Sequence, residues 1–182
     1  MNLNSSKFER MKRIITLLVL SAALGCSDGD LQIETLDFDS VAIQDCGDID
    51  VTGSNLFFKI NGDETLILQL RSGDLNFGVS ITDTTETRSE VPGESRVIYR
   101  VFSDNVTSSY FCDNFPPSEP TVLEEIEAED GEVIVKSIAN ADSTAVNHVI
   151  QLEGISLVNA SGERITDLTI SEFGELTTST GN

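Results

Sequence analysis

One imidazole, a few thiols and 31 carboxylates set the chemistry open to this chain of 182 residues. His148 is the single His, and it stands beside Val149 and Ile150 in a segment with strand character. A lone His in that setting serves structure or surface rather than proton transfer. One His and two Cys that are expected to bridge each other cannot make a zinc centre of the usual type. A Ser nucleophile needs a positioned His and carboxylate, and no Gly-x-Ser-x-Gly turn marks one. Acid pairs for sugar hydrolysis occur everywhere in so acidic a chain, so none carries a signal. No Gly-rich loop is built to cradle phosphate, and no Cys-x-x-Cys exists for redox work. The expectation is a protein that is not an enzyme and needs no cofactor.

Calcium is the one cofactor with candidate ligands. Asp45, Asp48 and Asp50 surround Gly47, and Asn61, Asp63 and Glu64 form a second group. Hard oxygen ligands on loops suit calcium, but neither group has the spacing of a twelve-residue EF-hand loop. Turn residues that also keep the surface hydrated are the simpler reading of both.

The first 25 residues have a different character from the rest. Lys7, Arg10, Lys12 and Arg13 precede the apolar run Ile14-Ile15-Thr16-Leu17-Leu18-Val19-Leu20. That run is far shorter than the roughly 20 residues a spanning helix needs. A basic start, a short apolar stretch and small residues at the end describe a secretory signal peptide. Met11 opens a tighter version of the same pattern, so the start is Met1 or Met11. The end, Ala23-Leu24-Gly25-Cys26, resembles the lipobox of bacterial lipoproteins. That resemblance implies a diacylglyceryl thioether on Cys26, cleavage before it, and acylation of the new amine. Two or three acyl chains hold a protein firmly on a membrane, where one holds it only reversibly. The next residues, Ser27-Asp28-Gly29-Asp30, resemble the acidic export signal of Bacteroidetes surface lipoproteins. This implies the outer membrane with the domain facing the exterior, the periplasmic face being the alternative.

With Cys26 assigned to lipid, Cys46 and Cys112 remain. In an exported chain such a pair reads as a disulfide. At a separation of 66 residues, loop-closure entropy alone is worth about 4 kcal/mol. Bacteroidetes O-glycan sites have Asp, then Ser or Thr, then a small or apolar residue. Asp39-Ser40-Val41, Asp83-Thr84-Thr85 and Asp142-Ser143-Thr144 resemble that pattern, which implies glycans on Ser40, Thr84 and Ser143.

Elements that would position these groups are short and strand-like. From Cys26 onward, 7 basic residues face 30 acidic ones, a formal charge of −23. Residues 26–35 read as a tether. Segments 35–43, 56–60, 65–70, 77–81, 96–102 and 106–112 alternate or carry β-formers between polar turns. Asn61-Gly62 and Asp130-Gly131 read as hairpin turns, the first in a loop lengthened by Asp63 and Glu64. Residues 83–90 read as a polar loop, and 113–120 as a Pro-rich crossing that cannot be a central strand. Segments 122–128, 133–138, 146–158 and 165–170 complete the set, with a bulge expected at Gly154 where the apolar parity switches. A helix over 123–128 is the competing local reading. Residues 177–182 read as a frayed tail. These elements predict an all-β fold, a β-sandwich of two antiparallel sheets in a single domain over 36–176. The second half is similar in texture to uncharacterised flavobacterial lipoproteins, a resemblance that implies a habitat and no chemistry.

Composition narrows the partners. So few cations cannot build a phosphate-binding face, which excludes a conventional nucleic-acid binder. The absence of Trp leaves little for stacking on sugars. The expected function is a non-catalytic, lipid-anchored envelope or cell-surface protein with a structural, adhesive or interaction role toward another envelope protein. The alternative is a small-ligand or glycan-binding lipoprotein of a nutrient uptake system.

Overall fold

The computed structural model describes Leu36 and residues 38–47, 49–75, 82–162, 164–165 and 171–180. The strands are β1 (Asn55–Asn61), β2 (Glu64–Leu70), β3 (Thr85–Glu90), β4 (Arg96–Phe102), β5 (Val122–Ala139), β6 (Ala145–Val158), β7 (Arg164–Ile165) and β8 (Glu172–Ser179), with a one-turn helix α1 (Ser109–Cys112) after β4. The fold is all-β, as the alternation predicts. Every ladder is antiparallel, and the strands form one sheet in the order β1-β2-β4-β5-β6-β7, with β3 also on β5 and β8 also on β6. This single sheet curls into a half-barrel. Among the described residues the ladders do not divide into two separate sheets, because β5 belongs to both halves.

The 18 residues of β5 explain the curl. Its first half, to Glu127, pairs with β4, and its second half is flanked by β3 and β6. Register shifts lie between Ala128 and Glu132, and a bulge of this kind bends a strand and raises its twist. Asp130-Gly131 therefore makes a bulge, not the hairpin turn expected there, and 122–139 is neither two strands nor a helix. Gly131 has φ +129°, and a Cβ on it would lie 2.7 Å from Ile155 Cδ1. The turn between β5 and β6 lies further on, where the Asn140 and Ala145 backbones bond. The bulge expected at Gly154 is present: two residues of β6, Gly154 and Ile155, stand opposite Gly131 alone, and Gly154 has φ +66°.

Other elements also depart from expectation. Asn61 pairs with Glu64, so the β1–β2 hairpin turns on Gly62 and Asp63 alone. Residues 85–90 are strand rather than loop. Thr87 and Ser89 point inward, and their hydroxyls bond the Asp74 carbonyl (3.0 Å) and Ser95 Oγ (2.7 Å), so a strand without apolar residues meets the need for satisfied buried polar groups. Segment 106–112 ends in α1 instead of a return strand. Phe111 stacks on Phe58 at 4.4 Å, and this contact covers a small apolar patch of Phe58, Ile67 and Ile98 on the outer face of β1, β2 and β4. Both faces of β1 are thus covered, which is why Phe57 and Phe58 are adjacent and both buried. β8 runs to Ser179, with Thr178 buried, so 177–179 are ladder residues and not a frayed tail. The expected strands 77–81 and most of 165–170, like the leader and tether, lie outside the described residues.

The main core lies inside the curl. Phe38, Phe57, Leu66 and Leu68 from one half pack in one cluster with Val133, Val135, Ile150, Leu152 and Phe173 from the other. Burying a Phe or Leu side chain of this kind is worth roughly 1.5–3 kcal/mol.

Candidate interaction surfaces

A loop built for display follows α1. Cys112 is joined to Cys46, with S–S 2.10 Å and Cα atoms 5.3 Å apart, so the short helix is tied to the turn before β1. Tyr110 and Phe111 lock the helix further against Phe102 and Phe58. The far end of the loop is closed by reciprocal bonds between Ser103 and Thr121: Ser103 N donates to the Thr121 carbonyl and Thr121 N to Ser103 Oγ. Between these two ties stands Phe115, 90 % exposed, followed by Pro116 and Pro117, both exposed. Proline fixes φ and lowers the entropy that ordering on a partner would cost. Leu123, 68 % exposed, lies at the register shift between β4 and β5 a few residues further on.

A second feature is the seam of the half-barrel, between β8 and the segment from Asp39 to Val51. Two clefts lie along it, of about 460 Å³ and about 360 Å³. Lys59, only 3 % exposed, lines the larger one. Its Nζ donates to the Phe38 carbonyl at 2.7 Å and sits 5.8 Å from the Phe173 ring centroid. Burial pushes its pKa below the ordinary lysine value, and the nearby carboxylates of Asp39 and Glu172 oppose that shift. Lys59 thus staples the N-terminal segment to the edge of β1. None of the described residues that line either cleft is aromatic.

The surface is acidic because carboxylates far outnumber cations, and four of the arginines are ion-paired. Arg71 bonds Asp74 and Glu94, Arg88 bonds Glu86 and Glu132, Arg96 bonds Glu127, and Arg100 bonds Glu125. Such exposed pairs add little stability, but they leave the excess carboxylates to set the outward field.

His148 is fully buried. Ser137 Oγ lies 2.6 Å from Nδ1 and Thr178 Oγ1 2.9 Å from Nε2, so the imidazole ties β5, β6 and β8 together. Burial lowers its pKa to about 4, which keeps the ring neutral at pH 7. It lines neither cleft itself, although its partner Thr178 lines the smaller one.

Of the calcium candidates, Asp48 lies outside the described residues. Asp45 accepts the Gly47 N–H at 2.6 Å, and Asp50 Oδ1 accepts both the N–H and the hydroxyl of Thr52. These bonds lower the Asp50 pKa and mark Asp45 and Asp50 as turn formers. Among the described residues no group of three His, Cys, Asp or Glu side chains could hold a metal ion. Unfolding curves in chelator and in about millimolar calcium should superimpose; unfolding in chelator that calcium reverses would make the Asp45–Asp50 turn a metal site. Ser40, Thr84 and Ser143 are all exposed in turns or loops.

Local sequence pattern does not single out Phe115, Lys59 or the seam: Phe115 belongs to the Pro-rich crossing, where its exposure depends on how the loop is tied. The seam depends on tertiary closure and has no local signature.

Compared with known proteins, the chain matches no family model, and no curated protein and no solved structure shows significant similarity to it.

Proposed function

We propose that this protein is a lipid-anchored, non-catalytic envelope protein of the outer membrane whose acidic β domain faces the cell exterior and holds a partner through the loop of Phe115. The observation that carries the reading is the 90 % exposure of Phe115 on a loop tied at both ends. Leaving a phenyl ring in water forgoes roughly 1.5–3 kcal/mol that a partner pocket would recover. The anchor rests on Ala23-Leu24-Gly25-Cys26, and the outward orientation on Asp28 and Asp30. In this reading the two halves of the curled sheet act as the layers of a sandwich, with one core between them. The ligand-binding alternative has the seam clefts in its favour, though none of their described lining residues is an aromatic platform of the kind common in glycan sites.

Membrane fractionation of cells carrying Cys26→Ser tests the anchor. The parent should stay with the outer membrane and the variant should leave it, with lipid found on Cys26 only in the parent. Equal membrane retention, with no lipid on Cys26 of the parent, overturns the anchoring. Protease treatment of whole parent cells reports the orientation: cleavage of the domain agrees with surface display, and protection places it on the periplasmic face.

A further inference from the structure

We propose that the domain has a mechanical function: the Cys46–Cys112 bond passes tension from the loop of Phe115 to the membrane anchor and keeps it off the sheet. Phe115 lies three residues after Cys112, and Cys46 ends the segment that leads from Cys26 into the domain. The disulfide joins these two pieces directly. Strands β1, β2, β3 and β4 lie between the two Cys in sequence, so the bond leaves them outside the direct covalent path from Cys26 to Phe115. The strands from β5 onward follow Phe115 and lie beyond the path as well. Without the crosslink the same tension would run through β1 to β4, whose ladders are held by hydrogen bonds that are weak one by one. This function rests on the proposed anchor at Cys26 and contact at Phe115, whereas the path belongs to the folded chain.

The entry to this path is a strap, formed by Leu36 and residues 38–46. Leu36 and Phe38 are buried in the main core, and Lys59 Nζ holds the Phe38 carbonyl at 2.7 Å. Further on, Gln44 and Phe58 exchange backbone bonds of 2.8 and 2.9 Å, which lays the strap against β1. Ile43 packs on Gly174 of β8, where an added Cβ would lie 3.0 Å from Ile43 Cβ. The strap is therefore fixed to both β1 and β8, and Cys46 follows two residues after Gln44. Tension from the tether meets Phe38 and its Lys59 bond first, then the Gln44 bridge, then the disulfide. The earlier contacts are noncovalent and yield; the last does not. At the other end, Phe111 of α1 stacks on Phe58, the residue whose backbone bonds Gln44. Strap and helix thus meet over one side chain of β1, beside the bond that links them.

Single-molecule stretching of the full-length chain tests this. Cys26→Ser keeps the chain free of lipid, and click-reactive residues at positions 30 and 115 take the handles, so that no thiol is used. In the oxidised chain the expected record is release of the strap, at most about 35 Å for the stretch from Leu36 to Cys46, and no further lengthening. With dithiothreitol, or with Cys46→Ser and Cys112→Ser, the chain should lengthen by about a further 230 Å, because 66 residues of separation then enter the path. Handles at positions 30 and 84 pull on the strands between the two Cys even in the oxidised chain, which should lengthen past the strap limit at a force set by the unfolding barrier. Lys59→Met should lower the force of strap release and leave the limit unchanged. Lengthening of the oxidised 30–115 chain far beyond 35 Å would take the disulfide out of the path and overturn the proposal. So would equal records with and without dithiothreitol, strap release indifferent to Lys59→Met, or an oxidised 30–84 chain that holds as firmly, since the sheet would then resist the tension unaided. Lipid on Cys26 and crosslinking at position 115 are read separately and stand or fall without these records.

Discussion

Replacing Cys46 and Cys112 together with Ser should lower the unfolding temperature of the domain by about 10 °C, the effect of removing about 4 kcal/mol of loop-closure entropy from a chain of this size. The bond closes a loop that contains β1 to β4, and the sulfurs join the turn before β1 to α1 after β4. In the reduced chain the unfolded ensemble gains freedom over 66 residues of separation, so the loss is large even if native contacts survive. The folded state has its own share, because α1 is a single turn with no side-chain cap. Without the crosslink, the ring contacts of Tyr110 and Phe111 with Phe58 and Phe102 are left to hold it to the sheet, and the loop of Phe115 should loosen first. Differential scanning calorimetry of parent and double variant, with thiol labelling of the parent, checks this. Coincident transitions, or two labelled thiols in native non-reduced parent, would show that the bridge does not stabilise the protein.

Acid should destabilise the domain through His148 before its carboxylates matter. The imidazole has a pKa of about 4 when folded, against 6.5 as the ordinary value. Below pH 6.5 the unfolded chain binds a proton that the folded chain refuses, so stability present above that pH is lost as pH falls toward 4. The total loss is about 3 kcal/mol, and about 2 kcal/mol of it falls between pH 7 and pH 5. No charged side chain hydrogen-bonds the ring; its partners are the hydroxyls of Ser137 and Thr178. His148→Gln keeps a donor and an acceptor there but does not titrate. Glu94, Glu127, Asp50 and Asp142 also have lowered pKa values, from side-chain bonds to Arg71, Arg96, Thr52 and Thr144, so what they contribute is lost at still lower pH. Easing of repulsion among the other acids works in the opposite direction. Both effects are common to parent and variant and cancel in the comparison. Urea unfolding at pH 7 and pH 5 should show the parent losing about 2 kcal/mol more than the variant. Equal losses would mean that the ring is protonated, or reached by water, in the folded domain.

Strands with two-residue alternation were readable in the sequence, and so was the class of the fold. The β1–β2 hairpin, β4 and the β6 bulge all follow from local pattern and from Gly conformations. The long strand β5 is equally written in the residues, although Asp130-Gly131 predicts a hairpin turn between two strands there. Its inward residues are Ile126 and Ala128, then Val133 and Val135, so its parity switches across 129–132 just as that of β6 switches from Leu152 to Ile155. Paired switches in neighbouring strands mark a shared bulge, whereas an Asp-Gly pair taken alone suits a bulge or a turn. Strand β3 was hidden for a different reason: its inward Thr87 and Ser89 are held by hydroxyl bonds and carry no hydrophobic signal. The seam and the role of Lys59 arise from the meeting of segments far apart in sequence, Phe38 with Lys59 and Phe173, which no local pattern encodes. Phe115 was plain to see, but only the two ties at Cys112 and Thr121 turn an exposed side chain into a presented one.

In the proposed function a membrane-held domain meets its partner through Phe115. Photo-crosslinking in intact cells tests it, with a photoreactive phenylalanine at position 115 and, as a control, at exposed Thr84. The predicted result is a discrete adduct of one mass from position 115, absent from position 84 and lost when Cys46 and Cys112 are both replaced. The same diffuse products from both positions, or a position-115 yield that ignores loss of the disulfide, would contradict it.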